Sequence, residues 1–264
     1  MSTTTPIRAG RFAHARTWAL TVVALATVAS SCSSGTRTGS GSGAGESIAP
    51  DASVTPAESS EVPAPADPDR ELAEAALLAP ADLEGNWRDT GPEGDFPMSA
   101  ELARTAPACT RFADLVFDGG AQHGAGATVT LQRQEGLLYT YVVVFPTNEE
   151  AATMMRAVTS TEFDGCWSQF MGVAAVEAPY GITEASYEKA TPPDMKFVAD
   201  SYVVRHVIGT IVVDGSEGDD TCVCVFAQVG RGVVIVHSAL PHFSLDERVA
   251  MTQTAIDKLR DVLG

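Results

Sequence analysis

Residues 201–240 read SYVVRHVIGTIVVDGSEGDDTCVCVFAQVGRGVVIVHSAL, and this stretch decides the fold. Its runs SYVVRHVIGTIVV, TCVCVFAQV and GVVIVHSAL are rich in the β-branched and aromatic residues that suit a pleated, half-buried surface. DGSEGDD and Gly230-Arg231-Gly232, which separate them, are natural hairpin connections. Strands joined so tightly are antiparallel neighbours, because a parallel crossover needs about a dozen residues or more.

Working outward, TVTLQRQ (128–134) alternates, Glu135-Gly136 reads as a turn, and LLYTYVVVF (137–145) is a strong strand that Pro146 stops. Thr147-Asn148-Glu149-Glu150 then matches a capping box. The stripe Ala151, Met154, Met155, Val158 after it has helical spacing, with both methionines as core filler. This helix leads into FDGCW and would leave Cys166 and Trp167 just past its end. A second capping box, Ser244 to Glu247, opens a C-terminal helix with its stripe at Leu245, Val249, Ile256, Leu259 and Leu263. On the N-terminal side Asp67 is placed to cap a helix through ELAEAALLA, with Pro68 at its first position and Pro80 ending it. Trp87 and Phe96 fall in turn-rich sequence as lids on the core edge, and a short helix runs from Ser99 towards Arg104. The order implies an α+β domain over 71–264, an antiparallel sheet of about five to six strands with helices packed on one face.

The N-terminus has a different character. Arg8, Arg11 and Arg16 precede the apolar run Trp18 to Ala29, which suits the core of a signal peptide spanning residues 1–31 and is too short to cross a bilayer. Ala29-Ser30-Ser31-Cys32 resembles the lipobox of bacterial lipoproteins, which implies a diacylglycerol on the Cys32 thiol and removal of the preceding peptide. That family usually has Leu or Val where Ala29 stands. Each buried methylene contributes about 0.8 kcal/mol, so two acyl chains hold a protein stably at a membrane. From Ser33 to about Arg70 the chain is Ser, Gly, Thr, Ala, Pro and acid. Such a composition cannot offset chain entropy by burial, so residues 32–70 are expected to form a lipidated, disordered tether spanning roughly 35 Å.

Removing residues 1–31 takes three arginines from 17 basic residues and leaves 14 against 34 acids, a formal charge of −20. Nucleic acid and anionic headgroups repel such a chain, so the membrane contact falls to the lipid and no nucleic-acid partner is expected. Four cysteines follow the anchor: Cys109, Cys166, Cys222 and Cys224. In an exported chain an even number suggests disulfides. Cys222 and Cys224 sit two apart on one strand, share a face and pair poorly with each other. The reading pairs Cys109 with Cys166, although Cys222 and Cys224 could instead each reach one of those two. No metal site or cofactor is expected, since two cysteines on a strand without a histidine at finger spacing make a weak zinc site.

No nucleophile elbow, phosphate loop or zinc-protease motif occurs. Asp214-Gly215-Ser216-Glu217-Gly218-Asp219-Asp220 has oxygens enough for calcium but lacks the ligand order of an EF-hand loop, and reads as an exposed turn. His206, His237, Ser238 and Cys222 or Cys224 could converge if their strands were neighbours, which keeps a hydrolase as a third reading. A histidine on a half-buried strand is more often a hydrogen-bonded sheet residue.

AALLAPADLEGNW, PACTRF, VVVFPTNEEAATMM and the CW after that helix resemble actinobacterial lipoproteins and the extracellular sensor domain of mycobacterial kinases of the PknH type. The resemblance covers roughly residues 70–264 and implies an antiparallel sheet flanked by helices, a ligand cleft and two internal disulfides. The chain departs from that pattern at Cys222 and Cys224, which come far later than the family's third cysteine. The expectation is a non-enzymatic binding or sensing module on the outer face of the cytoplasmic membrane. Its ligand would be a small molecule, lipid, glycan or envelope protein. The alternative is a structural or assembly lipoprotein that docks onto an envelope protein.

Overall fold

The computed structural model describes residues 67–91, 98–117, 124–134, 136–239 and 243–264. Cys32, the expected signal peptide over 1–31, nearly all of the expected tether, Phe96 and Glu135 lie outside the described residues. The strands are β1 (Arg88–Asp89), β2 (Ala125–Arg133), β3 (Gly136–Val144), β4 (Ile182–Lys189), β5 (Ser201–Val213), β6 (Ser216–Val229) and β7 (Gly232–Ala239). They form one antiparallel sheet of seven strands in the order β1-β2-β3-β7-β6-β5-β4.

Two strands exceed the sequence expectation. β1 is only two residues long. β4 is an edge strand, ITEASYEK, whose charged residues hide its alternation. Charge on an edge is also what discourages another chain from pairing there. The two-residue turns are tighter than the composition suggested. Asp214 and Gly215 take φ 50° and 74°, so Ser216 onward is already strand. Arg133 pairs with Gly136, and Gln134 takes φ 54°, which moves the first hairpin turn one place earlier.

The helices are α1 (Pro68–Ala75), α2 (Ala100–Thr105), α3 (Asn148–Thr159), α4 (Thr161–Glu177) and α5 (Leu245–Leu263). Side-chain caps start each of them. Asp67 accepts from Asp69 N, Ser99 from Leu102 N, and Ser160 from Phe163 N, while Thr147 with Glu150 and Ser244 with Glu247 form full capping boxes. Ser160 both ends α3 and caps α4, so Cys166 and Trp167 lie inside a second helix and not past the end of the first.

The helices cover both faces of the sheet, where the sequence suggested one. On the first face α2, α3 and α4 bury Met154, Met155, Val158, Phe163, Trp167 and Phe170 against Tyr139, Tyr141, Cys224, Phe226 and Ile235. On the second, α1 and α5 bury Ala73, Met251, Ile256 and Leu259 against Leu138, Val142, Val144, Val234 and Val236. The physical cause is visible in β3 and β7, where LLYTYVVV and VVIV are apolar at consecutive positions. A run of that kind is buried on both sides and needs cover on both. Cys109 and Cys166 form a disulfide that ties the segment after α2 to α4, and Ala108 N donates to Gln169 Oε1 at 3.1 Å beside it. No helix among the described residues is long and apolar enough to cross a membrane.

Candidate functional site

Register places the sequence-flagged residues on particular faces. Cys224 pairs with His237 across β6 and β7, and His237 with Tyr139 across β7 and β3, so these share the first face with Cys222 and Asp220. His206 pairs with Val223, and so does Ser238, which puts both on the second face. The two histidines therefore lie on opposite sides of the sheet. The convergence that a histidine-based hydrolase would need does not form.

The chemistry on each face agrees. His206 bonds Thr191 O at 2.8 Å and Thr221 Oγ1 at 3.0 Å, the role of a hydrogen-bonded sheet residue. Ser238 Oγ accepts from Arg248 of α5 at 2.5 Å. Burial lowers His237 to about 4, with Arg248 adding to the effect and Asp220 opposing it, so the ring is neutral at ordinary pH. Cys222 and Cys224 are free, buried thiols. Burial pushes both well above the ordinary thiol range, with Asp220 adding to the shift at Cys222, and a protonated thiol is a poor nucleophile. Tyr187 Oη donates to Asp220 Oδ2 at 2.5 Å and Cys222 Sγ approaches the same oxygen at 3.5 Å. Burial, then Cys222 and Asp220, push the Tyr187 hydroxyl above its usual range. These groups form a packed polar seam without an activated nucleophile.

A second cluster joins α3, α4 and β5. The Arg205 guanidinium donates to Val158 O, to Ser160 O at 3.2 Å and to Asp164, while Lys189 Nζ reaches Asp164 Oδ2 at 2.6 Å. Arg205 thus satisfies carbonyls that the end of α3 leaves open. A pocket of about 220 Å³ beside it is lined by Asp164, Lys189, Arg205 and His206, all of which already have partners. Among the described residues no group of three or more His, Cys, Asp or Glu could hold a metal ion, and Asp214–Asp220 is a turn running into β6.

An open recess lies at the far end of β4, β5 and β6. β7 pairs with β6 only from Cys222 to Val229, so Ser216–Thr221 extends beyond it together with its β5 and β4 partners as a three-stranded wing. α4 covers the first face of this wing, and Gly172 lets its backbone approach β4, since a Cβ there would stand 3.2 Å from Ala185 O. Gly209 is similarly required, because a Cβ would meet Ser186 O at 1.9 Å. On the second face Val204 packs near Met195, Phe197 and Val249, and beyond it that cover stops among the described residues. Ile208 is left 40% exposed, and a trough of about 930 Å³ runs past Ser186, Glu188, Ile208, Thr210, Asp219 and Thr221. Sequence reading missed it because it depends on β4. The period-two array of Glu184, Ser186 and Glu188 was the available signal.

No family match is found for the chain, and no curated protein matches it. Among solved structures it is similar to the extracellular domain of PknH from Mycobacterium tuberculosis, at 13% identity and a TM-score of 0.44, over 73% of this chain and 96% of that one. It is also similar to the Rv0999 ortholog from Mycobacterium smegmatis, at 12% identity and a TM-score of 0.36, over 73% of this chain and 98% of that one. The first is the type of domain that the short sequence motifs resemble.

Proposed function

We propose that this chain is an extracytoplasmic binding or sensing module of the cell envelope, held at the outer face of the cytoplasmic membrane by a lipid on Cys32. The reading assigns no enzymatic step to the domain. The open trough of about 930 Å³ on the wing carries it, because an exposed apolar side chain, Ile208, stands in it among polar groups. Pockets that take ligands are concave and combine apolar walls with a few polar groups, and the Ser186, Thr210 and Thr221 side chains supply such groups here. The basic start, apolar core and Cys32 of the N-terminal sequence support the anchor.

Two measurements test the two parts. Full-length protein extracted from its native membrane should carry a lipid mass on the peptide beginning at Cys32, and Cys32→Ala should leave the protein unlabelled by fatty acid. Unchanged labelling of that variant would overturn the anchor. Native mass spectrometry of the extracted protein should show a bound species that Ile208→Asp removes. A species retained by that variant would place binding elsewhere.

A further inference from the structure

The exposed face of the wing has an ordered composition. Along β5 its central column is Ile208, Thr210, Val212. Register sets Glu188 and Thr221 either side of Ile208, Ser186 and Asp219 either side of Thr210, and Glu184 and Glu217 either side of Val212. A column of two apolar side chains, Ile208 and Val212, with Thr210 between them therefore runs between two rims that each carry two carboxylates, Glu184 and Glu188 on β4 and Glu217 and Asp219 on β6. Strands about 4.8 Å apart put those rims roughly 10 Å from each other, the width of an α-helix. The column covers four residues of rise, about 13 Å, or between two and three helical turns.

The rest of the same face is covered by α1 and α5, with α5 burying Met251, Ala255, Ile256 and Leu259 there, and by the irregular segment that holds Met195 and Phe197. The wing repeats that situation with no helix supplied by the described residues. Over the wing the segments 182–189 and 207–221 hold six carboxylates and one lysine, Lys189, which is paired with Asp164. A second copy of this chain is a poor occupant. A β4 edge paired with itself about Ser186 would set Glu184 against Glu188, and α5, with four acids against Arg248, Lys258 and Arg260, has no net positive charge to offer the rims.

We propose that this uncovered face is a docking site for a basic amphipathic helix of a partner protein. The helix lays a narrow apolar stripe on Ile208, Thr210 and Val212. Lysine or arginine side chains on both flanks reach Glu184 and Glu188 on one side and Glu217 and Asp219 on the other. Helix-in-groove recognition of this kind takes affinity from the apolar anchors, and orientation and association rate from the charges. The inference rests on the binding-module reading and deepens it. The two fail separately, since the anchor is read from Cys32 labelling and the docking site from an unlipidated chain.

The test uses the mature chain with Cys32→Ser and a fluorescent fourteen-residue helical probe of leucine and lysine, with fluorescence anisotropy as the readout. Binding is expected to weaken at least about fivefold in Glu184→Gln/Glu188→Gln and again in Glu217→Gln/Asp219→Asn, and at least about tenfold in Ile208→Ser/Val212→Ser. A distant control, Glu101→Gln/Asp261→Asn, should stay within about twofold, and raising salt from 0.05 to 0.5 M should weaken the wild type, since exposed charges are screened. Thermal melts of each variant confirm that the fold is kept. In the wild type, amide exchange should slow at Ile208–Val212 when the probe is added. Equal binding by all variants means adhesion to acidic surface at large and overturns the proposal. It is also overturned by equal binding of a leucine–glutamate probe, by no binding at millimolar probe, or by tight self-association of the chain through this face.

Discussion

Replacing both cysteines of the disulfide, Cys109→Ala/Cys166→Ala, gives a stability loss whose size follows from topology. The bond closes a loop with a sequence separation of 57. In the chain-entropy account the cross-link removes about 14 cal/mol/K from the unfolded ensemble at that length, or about 4 kcal/mol at 25 °C. Both residues are fully buried, so truncation to Ala leaves small voids that add to the loss. For a domain of this size each kcal/mol moves the melting temperature by roughly 2–4 °C, so a drop of about 8–16 °C is expected by calorimetry. Wild-type protein melted with a strong reductant should fall to nearly the same temperature, because the same bond is removed. A change below about 3 °C in the double variant would refute the reasoning, showing that the loop between Cys109 and Cys166 is already constrained when unfolded.

Other outcomes follow from the seam and the wing. Stability should fall as pH drops from about 6.5 towards about 4, because His237 is held near 4 by burial while the unfolded ring binds its proton at the higher value. The unfolded state gains protons first, costing the fold about 2 kcal/mol between pH 7 and pH 5, and His237→Gln should flatten that slope in urea titrations. In native protein Cys222 and Cys224 should resist thiol reagent, and two thiols should react after denaturation if Cys32 carries its lipid. A third would mean that Cys32 is free. Gly209→Ala should destabilise by at least about 2 kcal/mol and speed amide exchange in β4, since the added Cβ meets the Ser186 carbonyl. Arg205→Met should cost about 3 kcal/mol in urea, because it strips the more buried of the two cations from Asp164, leaving only Lys189, and reopens the α3 carbonyls.

Much of this chain was legible before its fold was known. Capping boxes at Thr147 and Ser244, and Asp67 before Pro68, are local hydrogen-bond patterns confined to four residues, and they set three helix starts. The strands at 201–213, 221–229 and 232–239 follow from β-branched composition and short connections, which also fix their antiparallel order. Other features depended on neighbours distant in sequence. β4 is a strand because β5 pairs with it, and its own charged residues contradict that state. Cys166 and Trp167 fall within a helix because Ser160 both ends one helix and begins the next.

Residue identity alone fixed the basic leader, the apolar run, Cys32 and the acidity of the chain, since those properties need no folded partner. Only the tertiary structure decided which face each side chain occupies. A strand's side chains alternate, so the register between β5, β6 and β7 sent His206 and Ser238 to one side and His237 with both free cysteines to the other. The same register aligned Glu184, Glu188, Glu217 and Asp219 beside the column Ile208, Thr210 and Val212, which no helix of the described residues covers, an arrangement of three strands that no single stretch of the chain contains.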